Sequence, residues 1–501
     1  MSAEPGSPER GGTRAGAGRA GRAGAGTWIA RLLLAAASIV ATLAVAEAWL
    51  ASAARRPLLV PTLAGRVSPE PGRDHFVPFD VELVPRRPRV VLIGASTEAG
   101  FPFGPRASLA AWVERVLAWR GASIEVVPLA CPGLTAEQSE ALVPDALALH
   151  PSAIVAGVGH NEFIYSVEQL PPRWWHHSHL ARRLRGWQPA DRASDVPLPT
   201  AARAFDAAAI EEDFRQVLRR MRAAADAAGV PLLLTVPVSN LLCPPALGDA
   251  AASAAQDADA LFARGTELRA AGEHAAARTA LEQALAADRW PQRATPALQD
   301  AVLQSGATVV RTDLALQAAA PDGIPGFGLF LDHCHPAPAG ALVLATAIAD
   351  AIEALGIAPP TGRAGTAPDL ATMRGALDLP PAREAAARGD AALQCAGLAI
   401  VTGRTGALFQ LADRQLAAAE TGSTLPDAPE AGRIVLERSE ASAWRAFLAL
   451  LAGDVPAAQA RLAALRRADA RADAALGVAC RHYPWIGALF VRHGLPVPGA
   501  D

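Results

Sequence analysis

Lysine is absent from all 501 residues, so each of the 46 basic residues is an arginine. That bias fits a GC-rich genome better than a function. Cysteine is scarce, and the five present (Cys131, Cys243, Cys334, Cys395, Cys480) cannot all pair within one chain. Their spacing matches no zinc-ligand pattern. The cysteines read as buried free thiols, although an exported location would permit a Cys131–Cys243 disulfide. Charge excess is also small: a net −3 gives no sign of a nucleic-acid partner. Aromatic residues make up only 5% of the chain, so helices rich in Ala and Leu must carry much of the core.

What is present first is an Arg/Gly/Ala tail over 1–26, whose low complexity reads as disorder. Within 27–54, the run from Leu32 to Ala54 carries one charge, Glu47. It is long enough for a transmembrane anchor, given the ~20 residues a spanning helix needs. Arg10, Arg14, Arg19, Arg22 and Arg31 precede it, and Arg55 and Arg56 follow. The excess in front predicts a cytoplasmic N-terminus and an exported body. Ala44-Val-Ala46 also resembles a signal-peptidase site, which would release the protein. An amphipathic or buried helix is the third reading, although nothing upstream could bury it.

Residues 55–87, with several Pro and Arg and no clear period, read as a linker. From 88 to 355 strands alternate with helices. Val90–Ile93, Ile124–Pro128, Ala153–Gly157, Val230–Val236 and Thr308–Arg311 read as strands. Ala107–Trp119, Thr135–His150, Asp206–Ala228 and Pro338–Leu355 read as helices. This rhythm predicts an α/β fold with a doubly wound, mostly parallel sheet.

Two segments break the rhythm. The first, 163–200, contains Arg173-Trp-Trp-His-His-Ser-His179 and is too long for an ordinary connection. It reads as an aromatic substrate lid or a membrane-facing edge rather than a metal site. The second, 257–290, resembles one tetratricopeptide unit, with Gly265 in its first helix, Gly272-Glu273 at the turn, and Ala277, Leu281 and Ala284 following. After a Pro/Gly-rich linker at 356–378, residues 379–501 look helical and Ala-rich. Gly453-Asp454 repeats the turn signature there, and a weaker copy runs through Ala385–Ala396 with Gly389-Asp390 as its turn. Such repeats suit either a protein-binding surface or a stabilising helical cap.

The chemistry-bearing residues follow the predicted strands. Ser96 lies just after the first, in Gly94-Ala-Ser-Thr. Gly133 lies in Ala130-Cys-Pro-Gly after the second, and Asn161 in Gly157-Val-Gly-His-Asn-Glu after the third. Asp332 and His335 close the set in Phe330-Leu-Asp-His-Cys-His-Pro336, three residues apart and so on one face of a turn. Each alone has an ordinary explanation as a cap or turn residue. Together they supply a nucleophile, a base with its orienting carboxylate, and oxyanion donors. His333 and Cys334 fall inside the closing motif, but the spacing favours His335.

As an ordered set these blocks resemble the SGNH (GDSL-type) hydrolase family over about 88–355, apart from the inserted helical pair. The resemblance implies that family's three-layer fold and ester hydrolysis or acyl transfer through a serine. Ser96, Asp332 and His335 would be catalytic, Gly133 and Asn161 would form the oxyanion hole, and no metal or organic cofactor would be needed. The family's usual Asp before the serine is Ala95 here, so hydrogen bonds around that turn must differ. His160 and Glu162 read as shaping the pocket, while Asn240 and Arg293 are candidate substrate contacts. The expected partner is an acyl ester of a cell-envelope glycan or lipid. The alternative is a helical-repeat scaffold around an inactive core.

Overall fold

A computed structural model describes residues 58–166 and 206–498 together with positions 42 and 45, with gaps at 63–64, 70–75, 249–252, 254–255, 358–362, 364, 426–427 and 470. The expected disordered tail, the membrane-length segment apart from positions 42 and 45, and the Trp/His-rich stretch at 173–179 lie outside the described residues. Among the described residues no helix is long and apolar enough to cross a membrane.

The span expected to be a linker contains three short strands, β1 (Leu59–Thr62), β2 (Arg66–Pro69) and β3 (Val81–Glu82), paired antiparallel. Leu58, Leu59, Val67 and Val81 are buried with the apolar side chains of the main sheet. The Pro- and Arg-rich composition hid the alternation that fastens this segment to the domain.

The main sheet is built from β4 (Arg89–Gly94), β5 (Glu125–Ala130), β6 (Ala153–Gly157), β7 (Leu232–Thr235) and β8 (Thr308–Val310). All pairs are parallel, in the order β5-β4-β6-β7-β8. The period-2 geometry of β4 splits its side chains between two layers. Val90 and Leu92 join a core with helix α2 (Leu109–Arg120) and helix α6 (Pro338–Ala354), through Trp112, Val116, Leu344 and Ile348. Val91 and Ile93 face α3 (Ala207–Ala227), through Phe214, Leu218 and Met221. Asp206 starts α3 by accepting the Ala209 N–H at 3.0 Å. A single helix was expected over 135–150, but Ala136–Glu140 and Val143–Ala148 are separate helices. Pro144 sits in the first turn of the second, where its missing N–H costs nothing.

The segment after β7 carries the helices α4 (Ala258–Ala270) and α5 (His274–Ala286), in contact where Gly265 meets Leu281. Beyond the sheet come α7 (Pro381–Thr402), α8 (Ala407–Thr421), α9 (Arg438–Leu451) and α10 (Val455–Ala468), which share a core with two residues of the α/β part, Cys243 and Phe327. The turn expected at Gly389-Asp390 is not a turn, because both residues lie inside the continuous helix α7. Gly389 is needed there for close approach: a Cβ would collide with the Val435 carbonyl oxygen.

Candidate active site

The parallel register decides which loops meet. Gly94 at the end of β4 lies level with Ala130 of β5 and Gly157 of β6. The loops that follow therefore emerge side by side at the carboxyl edge of the sheet. Strand order reverses between β5-β4 and β4-β6, and such a switch point is where open α/β sheets bind ligands. Ser96 opens the short helix α1 (Ser96–Ala99) at this point.

The closing motif reaches Ser96 from 239 residues downstream: His335 Nε2 lies 2.8 Å from Ser96 Oγ. His335 Nδ1 lies 2.6 Å from Asp332 Oδ2. With Nδ1–H donating to the carboxylate, Nε2 is free to accept the serine proton. The other carboxylate oxygen, Oδ1, accepts the N–H groups of Cys334 at 2.9 Å and His335 at 2.8 Å. Burial alone would raise the Asp332 pKa. The neighbouring His335 and His333, with the hydrogen bonds from His335, overcome that and hold it well below the usual carboxylate range. The turn is closed by Leu331 N–H donating to His335 O at 2.8 Å and by a bridge between Phe330 and Pro336. The Phe101 ring packs on His335, with centroids 4.8 Å apart.

Gly133 takes φ +85°, a left-handed conformation that suits glycine in the tight turn after β5. Asn161 is buried, and its Nδ2 donates to Leu134 O at 2.9 Å. This joins the loops after β5 and β6 and leaves one amide hydrogen of Asn161 for another acceptor. Glu162 does different work: its Oε1 accepts the Ala136 N–H at 2.8 Å, at the start of the helix after the Gly133 loop. Burial pushes the Glu162 carboxyl up to about 7. His160 Nδ1 accepts the Ala294 N–H at 3.2 Å, so its neutral tautomer carries hydrogen on Nε2. Burial, with His333 and His335 nearby, lowers its pKa to about 3.

Asn240, read as a candidate substrate contact, is fully buried at 0% exposure and belongs to the scaffold of the turn. Its Nδ2 donates to Asp332 O at 2.6 Å and its backbone N–H to His333 O at 2.9 Å. Arg293 is buried and donates from Nη2 to Cys243 O at 2.7 Å. All five cysteines are free and buried, so the Cys131–Cys243 disulfide is not formed.

Sequence reasoning missed Glu98. Its Oε2 accepts the Ala95 N–H at 2.9 Å, supplying a hydrogen bond at the turn where the resembled family carries an acid before its serine. Its side chain lies over Gly94 and Gly157, where any Cβ would collide with it. Burial pushes its pKa up to about 7, against the lowering effect of its backbone hydrogen bonds and of His335. The signal available in the sequence was the acid three residues after the turn position, the spacing of a helix-capping contact.

Asp332, His333 and Cys334 bring three donor atoms within 4.8 Å of one another. Both Asp332 oxygens are already engaged by His335 and by backbone N–H groups, which leaves that carboxylate poorly suited to a metal. The arrangement has the parts for proton transfer from a serine hydroxyl to an imidazole held by a carboxylate.

No family model matches the chain, and no curated protein matches it. Among solved structures, it is similar to a lipase/acylhydrolase from Enterococcus faecalis at 15% identity, covering 55% of this chain and 98% of that one, with a TM-score of 0.30. A GDSL-like lipase from Bacteroides thetaiotaomicron is 13% identical, with 53% and 88% of the two chains covered and a TM-score of 0.28. A variant of an acetyl-xylooligosaccharide esterase from Geobacillus is 16% identical, with 54% and 94% covered and a TM-score of 0.29.

Proposed function

We propose that the chain is an SGNH-type serine ester hydrolase or acyltransferase. The observation that carries this reading is the continuous path from Ser96 Oγ to His335 at 2.8 Å and on to Asp332 at 2.6 Å. In this mechanism His335 takes the Ser96 proton as the hydroxyl oxygen attacks an ester carbonyl. Asp332 keeps the imidazole in the required tautomer and stabilises the imidazolium that forms. The N–H groups of Ser96 and Gly133 and the free amide hydrogen of Asn161 stabilise the oxyanion. His335 then protonates the departing alcohol, and water or a sugar hydroxyl takes the acyl group from Ser96.

The Leu32–Ala54 run, with five of the seven flanking arginines in front of it, supports an exported enzyme held at the membrane. That setting favours an acylated glycan or lipid of the cell envelope as substrate.

The test uses the full chain in detergent, labelled with a fluorophosphonate and assayed on p-nitrophenyl acetate. Wild type is expected to label and turn over, while Ser96→Ala and His335→Ala lose both. A folded wild type that does neither would overturn the proposal.

A further inference from the structure

A cavity of about 190 Å³ lies beside the Asp332–His335 turn, and ester cleavage as described does not use it. Arg293, Asp288, His333, Cys243, Gln394 and Cys395 are among its lining residues. Arg293 is only 3% exposed. Its Nη2 is spent on Cys243 O, its Nε has no partner, and among the described residues no carboxylate forms an ion pair with it. Asp288 on the same wall makes no direct ion pair with it: its oxygens accept the N–H groups of Ala246, Leu247 and Trp290 at 2.8, 2.9 and 3.0 Å, and the Arg293 charge reaches it only through space.

A buried guanidinium is costly unless an anion completes it. Its planar fork of donors matches a carboxylate better than any neutral group. Size limits the guest: a dry cavity of about 150 Å³ takes one benzene, so this one suits an anion of roughly four carbons. The cavity adjoins the candidate site at His333, which lines its wall and whose ring centroid lies 5.7 Å from that of His335.

We propose that this cavity is a carboxylate-binding subsite, and that the ester turned over at Ser96 carries a short acidic arm whose carboxylate pairs with Arg293. The second clause rests on the hydrolase reading, whereas the first does not. The subsite selects acidic esters over neutral ones of the same length. Gln394 and Cys395 come from α7, so the helical part of the chain helps to set this selectivity.

The first experiment measures binding alone, by thermal unfolding of the full wild-type chain with succinate or with neutral succinamide at matched ionic strength. Succinate is expected to raise the midpoint saturably and succinamide to leave it unchanged. The succinate shift should shrink in Arg293→Lys and vanish in Arg293→Met. The second experiment compares p-nitrophenyl hemisuccinate, with its acid on the acyl side, and the acetate ester of 4-hydroxybutyrate, with its acid on the alcohol side. Each is measured against its neutral amide. At least one acidic ester should be preferred tenfold or more in kcat/KM over its neutral amide, and Arg293→Met should abolish that preference.

Equal responses of wild type to succinate and succinamide would overturn the subsite even if ester hydrolysis persisted, and that comparison needs no variant to fold. Arg293-dependent succinate binding in a protein whose Ser96 neither labels nor turns over would uphold the subsite and remove only the hydrolase reading.

Discussion

Asn240 holds Asp332 from behind: its Nδ2 donates to the Asp332 carbonyl at 2.6 Å, while its backbone N–H takes the next carbonyl, of His333. The acid that orients His335 is thus fixed by a residue 92 positions upstream, in the loop after β7. Asn240→Ala leaves the buried Asp332 carbonyl without its donor, which costs about 1–3 kcal/mol of stability. We expect kcat on p-nitrophenyl acetate to fall tenfold or more with KM nearly unchanged. A rise in KM alone would place Asn240 against substrate instead.

Asp332→Asn preserves shape but favours the wrong imidazole tautomer. In the mechanism proposed here kcat should fall by about 10⁴-fold. The variant should fold, since an amide oxygen still accepts the Cys334 and His335 N–H groups. Circular dichroism alongside steady-state kinetics checks both halves, and retention of more than a tenth of wild-type kcat would remove Asp332 from its role.

Glu98 and pH are linked through burial. Its carboxyl is raised from 4.5 to about 7 in the fold. Between these values the native state binds the extra proton. The contribution of Glu98 is therefore full below pH 4.5 and is lost as pH rises through 7, by about 3 kcal/mol in all. Glu98→Gln keeps an acceptor for the Ala95 N–H but removes this titration. Its stability relative to wild type should climb from pH 5 to pH 8, measured by denaturant unfolding. The comparison is differential because His160 and His333, lowered to about 3 and about 4, lose stability in the opposite direction as pH falls. A pH-independent difference would refute the assignment.

Gly340, in the first turns of α6, lies where a Cβ would collide with the backbone oxygen of Leu329. That same oxygen accepts the Ala337 N–H at 2.9 Å as the chain leaves the His335 turn. Backbone cannot step aside as a flexible side chain can. Gly340→Ala should cost roughly 1–3 kcal/mol by overpacking and lower activity through a displaced His335. An unchanged melting temperature would show that α6 is free to shift.

Arg388 of α7 donates from Nη1 to Phe327 O at 3.1 Å and to Phe330 O at 3.3 Å, and from Nη2 to Glu384 at 2.9 Å. Helix α7 therefore braces the start of the Asp332–His335 turn. Arg388→Ala leaves these acceptors buried and Glu384 short of a partner, so a loss of about 3–5 kcal/mol is expected together with reduced turnover. Arg388→Ala with wild-type melting and kinetics would show that the helical region is merely appended.

The sequence alone carried the sheet and brought the candidate site residues to notice because both are written locally. The apolar runs of β4, β5, β6 and β7 are continuous, since parallel strands covered on both faces need no polar alternation. Ser96, Gly133, Asn161, Asp332 and His335 each sit beside a strand end or helix start that short-range pattern marks. Tertiary structure decided what depended on distant backbone. Glu98 reads as an ordinary first-turn acid until Gly94 and Gly157 are seen leaving room for its carboxyl. Gly389 looked like a turn because glycine usually marks one, whereas only the approach of Val435 shows why it lies in a helix. Asn240 and Arg293 looked alike in sequence, as polar residues in loops. Burial separates them: every hydrogen bond seen for Asn240 holds the Asp332 turn or its own loop, and Arg293 keeps a donor unpaired beside an open cavity. Local pattern can mark which side chains stand at strand ends and helix starts. Which of them have partners is fixed only when segments far apart in the chain pack together.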